Sequence, residues 1–501
     1  MTAKIHIGAI DQGTTSTRAI VFDARLAPVA SAGEELRQIY PQPGCVEHDP
    51  EEIWSTTDAT VRDVLAKAGA SARDVAALGI TNQRETTVVW DTASGRPLHN
   101  ALVWQDRRTA ARCDALREAG HLDLVRGTTG LVLDPYFSAS KLEWLLTEGG
   151  VAVTPTTAFG TVDSWVLWNL TGGPDGGVHA TEPSNASRTM LYDIDALAWS
   201  DDLLGLFGVP ASCLPELHHS GGRFGTVAAG LPLPEGTPVS GILGDQQAAL
   251  FGQACLEPGM SKNTYGTGSF VLMNVGDDCP PPVEGLLTTV AWTLAGQPGA
   301  TYALEGSIFV TGAAVQWLRD QLGIISAADE VGPLAASCAD TGGAYIVPAF
   351  TGLGSPYWDP YARGTLVGIT RGTGRAQLAR AVLESMAYQT RDVVDAMTAA
   401  AGHGLSELRA DGGASAADLL LQVQADQLGV PVSRPVVQET TALGAGYVAG
   451  LAEGVWDAEG LAGRWQLDRR FEPAGDADAA TAAYAGWQRA VERSRGWARH
   501  G

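Results

Sequence analysis

A chain of 501 residues, 45% hydrophobic and 18% charged, is long enough to bury more than one core. Its formal net charge of −23 argues against nucleic acid and anionic membranes as partners, since no basic stripe is present to neutralise phosphates. Six scattered cysteines without a CxxC pair, and nine histidines without HExxH spacing, argue against a zinc or disulfide framework and for reduced, mostly buried thiols. The start, MTAKIHIGAI, lacks the features of a secretory leader, and no run of about 20 apolar residues occurs. No membrane insertion and a cytoplasmic location are therefore expected.

In chain order, residues 4–10 and 17–22 read as two strands of a hairpin around the loop Gln12-Gly13-Thr14-Thr15-Ser16. The stretch HDPEEIWSTTDATVRDVLAKAG reads as a helix. Asp49 is its N-cap, Pro50 its first residue, Glu52 the partner in a capping box and Gly69 its end. VAALGI and TTVVW read as strands on either side of TNQRE. Tracts at 171–177 and 230–238 are rich in glycine and proline and read as surface loops. The segment GLPLPEGTPVSGILGDQQAALFG holds the best candidate boundary, a strand over 239–243 ending at Gly244-Asp245 with a small-residue helix directly after it. This divides the chain into residues 1–251 and 252–501. Beyond it, NTYGTGSFVLM repeats the strand, turn and strand of DQGTTSTRAIV, which suggests two α/β halves that each offer a hairpin loop to a shared cleft. The second half continues with a strand in GAYIVPAF, a helix in AQLARAVLESMAYQTRDVVDAMTAA, a strand in ELRADGG and a helix from Asp418. TTALGAGYVAGLA is a helix suited to close packing, and the tail over 473–501 is expected to be a surface helix.

The loop after Asp11 can cradle an anion. Gly13 lets the backbone turn, and successive N–H groups with the Thr14, Thr15 and Ser16 hydroxyls can surround phosphate oxygens. Asp11 can order the water shell of Mg2+, which keeps most of its waters and takes one or two carboxylates. The competing interpretation of this loop is a plain hairpin turn bonded to itself. A second loop, Gly266-Thr267-Gly268, and a third glycine turn at Gly412-Gly413 add places where a nucleotide can approach the backbone. Asp245, at a strand end and helix start, is either an N-cap or a base that takes a hydroxyl proton during attack on a γ-phosphate. Gln246 would hold the same substrate, and Gln247 is assigned only packing. Arg84 and Glu85 are either a solvated turn or a polyol site in which the guanidinium donates and the carboxylate accepts. Tyr136 adds a hydroxyl, and Trp104 and Phe270 are candidate walls against a carbon chain.

Nine stretches then stop being generic: DQGTTSTRA, YPQPGCVEHDP, GITNQRETTVVW, GLVLDPYFSASK, SNASRTMLYDI, GDQQAALFGQ, NTYGTGSF, PAFTGLGSPYWDPYARG and LESMAYQTRDV. In order, from about residue 5 to 495, they resemble the FGGY carbohydrate kinases, and among them the branch that acts on glycerol. The resemblance implies an α/β fold of the two-domain actin-like ATPase (ribonuclease H-like) kind, with the active-site cleft between domains. It implies ATP and Mg2+ as cofactors and the conversion of glycerol and ATP to sn-glycerol 3-phosphate and ADP, the first step of glycerol catabolism. It implies Asp245 as catalytic base, and Arg84, Glu85, Tyr136, Asp245 and Gln246 as the glycerol site. Asp11 would organise magnesium, and Thr14, Thr15, Ser16, Arg18, Thr267, Gly312, Gln316 and Gly413 would contact nucleotide. A homodimer or homotetramer is expected on the same ground.

Three departures stand out. Ala417-Asp418 replaces an Asn-Asn pair common in the family, so Ala417 brings no amide to the nucleotide. VAAGLPLPEGTPVSG lacks the arginine-bearing loop with which some relatives bind fructose 1,6-bisphosphate. LTEGGVAVTPTTAFG is shorter than the usual helix and turn. Two other functions fit the same residues: a kinase of the same family acting on a pentose or tetritol, and a nucleotide-binding actin-like module without catalysis.

Overall fold

The computed structural model describes residues 6–69, 74–457, 460 and 463–500. Residues 4 and 5 of the expected first strand lie outside these. β1 (His6–Gln12) and β2 (Ser16–Asp23) form an antiparallel hairpin, with β3 (Pro28–Glu35) antiparallel beyond β2. β4 (Val75–Asn82) runs parallel to β1, and β6 (Pro238–Gly244) runs parallel to β4. β5 (Gly221–Thr226) closes the edge, giving the order β5-β6-β4-β1-β2-β3. The central parallel strands are buried almost end to end, which explains why they read as apolar runs rather than as alternating patterns.

The second sheet rebuilds the same plan. β7 (Met260–Tyr265) and β8 (Ser269–Gly276) form its hairpin. β9 (Leu287–Trp292) flanks β10 (Thr301–Ile308), which pairs with β8. On the other side β11 (Glu407–Asp411) and β12 (Val432–Pro435) run parallel to β7, and β13 (Leu467–Phe471) is an antiparallel edge. The order is β9-β10-β8-β7-β11-β12-β13. The runs β3-β2-β1-β4-β6 and β10-β8-β7-β11-β12 thus share strand order and direction, so the weak repeat in sequence is a repeat in topology.

α1 (Pro50–Ala68) starts at Asp49, whose carboxylate accepts the Glu51 N–H at 2.9 Å, and ends at Gly69 in the left-handed region. The expected capping box is not formed, because Glu52 instead accepts the Arg37 backbone N–H at 2.9 Å. α2 (Asp245–Gly252), α3 (Gly312–Asp320), α4 (Arg375–Ala401), α5 (Asp418–Leu428) and α6 (Thr440–Ala452) follow. The last, α7 (Ala477–Ser494), is more than a surface helix. It buries Tyr484 and Trp487, which donate to the Asp392 carboxylate of α4 at 2.5 and 2.8 Å.

α2 and α6 join the halves. α6 comes late in the chain yet packs on β1, β4 and β6 of the first sheet and on α2. It is buried on nearly all sides, and glycines let its backbone touch its neighbours. A Cβ on Gly444 would overlap the Ala248 carbonyl oxygen, and one on Gly252 would overlap that of Thr440. One apolar cluster, including Ile7, Ala77, Leu243, Leu272, Ala303 and Leu443, draws on both sheets. The register then brings chemistry to one end of each sheet. Asp11 lies beside Thr81 and Asn82 beside Gly244, while Thr264 lies beside Asp411. These are the carboxyl ends of parallel strands, where open α/β sheets hold ligands.

Candidate active site

The tip of the β1–β2 hairpin is tight, with the Gly13 N–H donating to the Ser16 carbonyl at 3.0 Å. Gln83, just past β4, ties this tip to the next loop by donating to Gln12 Oε1 and the Gly13 carbonyl, both at 3.0 Å. Thr15 is exposed, and Thr14 and Ser16 are half-buried. Asp11 is also half-buried, and among the described residues nothing donates a hydrogen bond to its carboxylate. Burial and the nearby Asp245 charge push its carboxyl up to about 7, with Arg18 opposing and Glu439 adding to the rise. Arg18 is held by both oxygens of Glu439 at 2.8 Å.

Beyond Asn82 the chain enters Gln83-Arg84-Glu85. Glu85 has φ +61°, a strained left-handed conformation for such a residue. Ser138 and Thr87 hydroxyls hold it by donating to its carbonyl at 2.9 and 3.2 Å. Arg84 is buried, and each of its three guanidinium nitrogens has a partner. Its Nε lies 3.0 Å from Asp245 Oδ1, and its terminal nitrogens donate to Glu305 at 2.6 and 3.2 Å and to Gln247 Oε1 at 3.1 Å. Arg188 donates to Glu85 at 2.7 Å and to Glu305 at 2.9 Å. Burial alone would raise the Glu305 carboxyl, but Arg188 and Arg84 overcome it and hold it down at about 2. Since Glu305 sits on β10, this buried network fastens the first-half loop to the second sheet.

The structure brings all seven expected substrate residues to one pocket: Arg84, Glu85, Trp104, Tyr136, Asp245, Gln246 and Phe270. Thr14 completes the lining. The empty volume is about 260 Å³, its open mouth included, a size for a small ligand. Trp104 packs edge-on against Tyr136 at 5.5 Å, and its Nε1 donates to the Thr14 hydroxyl at 2.9 Å. Thr14 therefore touches both the apolar wall and the anion loop. Asp245 is the first residue of α2 rather than its N-cap, which is Gly244. Gln247 does more than the packing assigned to it, because it braces Arg84 and donates to Thr289 at 3.0 Å.

The expected nucleotide residues of the second half gather at the carboxyl end of its sheet. The Thr267 carbonyl accepts the Thr311 and Ala313 N–H groups at 2.9 and 3.0 Å, which docks the β7–β8 hairpin tip on the start of α3. Gly312 is the first residue of α3, and a Cβ there would lie 2.5 Å from the Gly266 carbonyl oxygen. Gln316 is exposed on the same helix. Gly412, at φ +83°, presses on the Tyr265 backbone at the end of β7, and Gly413 beside it faces open space. Ala417 caps α5 without a side-chain bond, and the Asp418 carboxylate is taken up by Arg434 and Arg469 at 3.0 and 2.5 Å.

Among the described residues no three His, Cys, Asp or Glu side chains converge on a metal position. A magnesium ion keeping its own waters fits this donor set, with Asp11 unpaired and in a negative field. Sequence reasoning passed over Glu305, Arg188 and Lys262. The signals were a lone charge in the apolar strand TYALEGSI, the arginine of SNASR, and one of only four lysines placed inside a strand.

The family profile described as FGGY family of carbohydrate kinases, N-terminal domain, matches residues 6–252, and its C-terminal counterpart matches residues 261–453. The chain is 55% identical over 500 residues to the glycerol kinase of Symbiobacterium thermophilum, covering 99% of each chain. It is 56% identical over 495 residues to that of Dechloromonas aromatica, covering 98% of this chain and 97% of the relative. Plasmodium falciparum glycerol kinase with ADP superposes with a TM-score of 0.91 at 33% identity over 98% of each chain. Gluconate kinase from Lactobacillus acidophilus, with a TM-score of 0.87 at 20% identity over 98% of this chain and 99% of its own, shares the fold.

Proposed function

The chain belongs to the FGGY family of carbohydrate kinases, and from that premise we infer that it phosphorylates glycerol with ATP, releasing sn-glycerol 3-phosphate and ADP. Glycerol kinases at 54–56% identity over nearly the whole chain support this activity. Within it, glycerol lies between Trp104 and Phe270, with its hydroxyls on Arg84, Glu85, Tyr136 and Gln246. The terminal hydroxyl sits at Asp245, which takes its proton while the oxygen attacks the γ-phosphorus in line. Because the transition state is loose, positioning contributes more than the strength of the base. Thr14, Thr15, Ser16, Arg18 and Thr267 hold the phosphates. Gly312, Gln316, Gly413 and Ala417 border the nucleoside. Bound magnesium would neutralise charge on the phosphates, its water shell ordered by Asp11.

Residues 1–251 and 252–501, with α6 of the second half carried on the first sheet, form two lobes that close on the ligands and exclude water, which would otherwise accept the phosphoryl group. A cytoplasmic location and a homodimer or homotetramer belong to the same proposal, drawn from the family resemblance, and sedimentation checks the assembly. The observation that carries the choice of glycerol within the family is the small pocket on Arg84, Glu85 and Asp245, walled by two aromatic rings. Coupled detection of ADP over a panel of glycerol, erythritol and xylulose tests it. Glycerol alone should support rapid turnover at millimolar substrate, and a pentose turned over faster than glycerol would overturn the assignment.

A further inference from the structure

Lys262 lies in β7 with its side chain fully buried beside the pocket but outside its lining. Its ammonium donates to Gln246 Oε1 and to the Thr264 hydroxyl, the latter at 3.1 Å. An amide side chain can ordinarily be turned either way to suit its neighbours. Here the chemistry decides, because an ammonium has donors only and so the amide oxygen must face Lys262. The Gln246 NH2 group is then the end left for the pocket that Gln246 lines. We propose that Lys262 is a positioning residue that fixes the polarity of the substrate pocket through Gln246. A substrate hydroxyl at Gln246 must accept, while Glu85 and Asp245 supply the acceptors for hydroxyl protons.

This rests on the glycerol reading of the pocket and adds a pH dependence. Burial pushes the Lys262 ammonium down to about 8. Asp411 on β11, Asp245 on α2 and Glu305 on β10 oppose the fall, and Arg84 adds to it. A neutral amine carries a lone pair and accepts as well as donates, so both amide orientations become satisfied and the pocket loses its fixed polarity.

The test is a cycle of wild type, Gln246→Ala, Lys262→Met and the double variant, with glycerol KM and kcat measured at pH 7.5. A hydrogen bond to a charged group sets the expected scale, so each single variant raises glycerol KM by about tenfold or more with kcat within about threefold. The double variant should be no worse than the poorer single. Multiplying effects, or a Lys262→Met enzyme with wild-type KM, would overturn the role of Lys262 while leaving the pocket standing. Unchanged KM in Gln246→Ala would instead bring down the pocket reading beneath it. A second readout needs no substitution at the lysine. Wild-type glycerol KM should climb above about pH 8, and the climb should vanish in Gln246→Ala. A wild-type KM that stays flat from neutral pH through that range would overturn the proposal even if Lys262→Met fails to fold.

Discussion

Glu305 is the residue on which the buried charges balance. Replacing it with glutamine leaves Arg84 with Asp245 and Arg188 with Glu85 as counter-charges and removes the buried carboxylate the two arginines share, so Glu305→Gln should destabilise the fold by about 3–5 kcal/mol in urea titrations. The sign with pH follows from its carboxyl, held at about 2 in the folded chain against about 4.3 unfolded. Its contribution is complete above the unfolded value and is lost as pH falls toward the folded one, so the gap between variant and wild type should narrow below about pH 4. Asp11 runs the other way, with its carboxyl near 7 before a cation arrives. The proposed magnesium role of Asp11 needs the ionised form, so magnesium–nucleotide affinity should strengthen as pH rises from 6 to 8 and flatten in Asp11→Asn, as titration calorimetry would read. At this scale the residues that line the pocket were legible in the sequence, because they sit in the motifs shared with the FGGY kinases. The sequence did not disclose Glu305, Arg188, Lys262 or Gln247, whose function lies in partners up to 221 positions away.

At the scale of elements, helix signals read well where they are local. Asp49, Pro50 and Gly69 bound α1 as expected, while Glu52 was drawn off to Arg37 across the fold, a tertiary partner that no local pattern displays. The tail helix α7 was expected at the surface because its alanines and arginines dominate the composition. Tyr484 and Trp487 bury one face of it against Asp392 instead. The crossing of α2 and α6 rests on backbone contact at Gly252 and Gly444. Gly444→Ala forces a methyl into the Ala248 carbonyl, and overpacking of this kind should cost about 1–3 kcal/mol. Thermal unfolding checks it, and a melting temperature equal to wild type would mean that the two helices separate more easily than their packing implies.

At the scale of the whole molecule, two sheets of one topology turn the carboxyl ends of their parallel strands toward a shared site, with α2, α6 and a common apolar cluster between them. The repeat of DQGTTSTRAIV and NTYGTGSFVLM made that plan legible, because each marks the central hairpin of its sheet. The place of α6 was not legible, since a helix from the far end of the chain completes the first sheet. If closure of the lobes drives catalysis, glycerol and a non-hydrolysable ATP analogue together should lower the radius of gyration in solution scattering more than either does alone. The central claim is that Asp245 takes the proton of a hydroxyl bound beside Arg84 and Glu85. Asp245→Asn keeps the size of the side chain and removes its basicity, so kcat should fall by about 10²–10⁴-fold while glycerol affinity stays within about threefold. A variant that turns glycerol over at close to the wild-type rate would contradict the account.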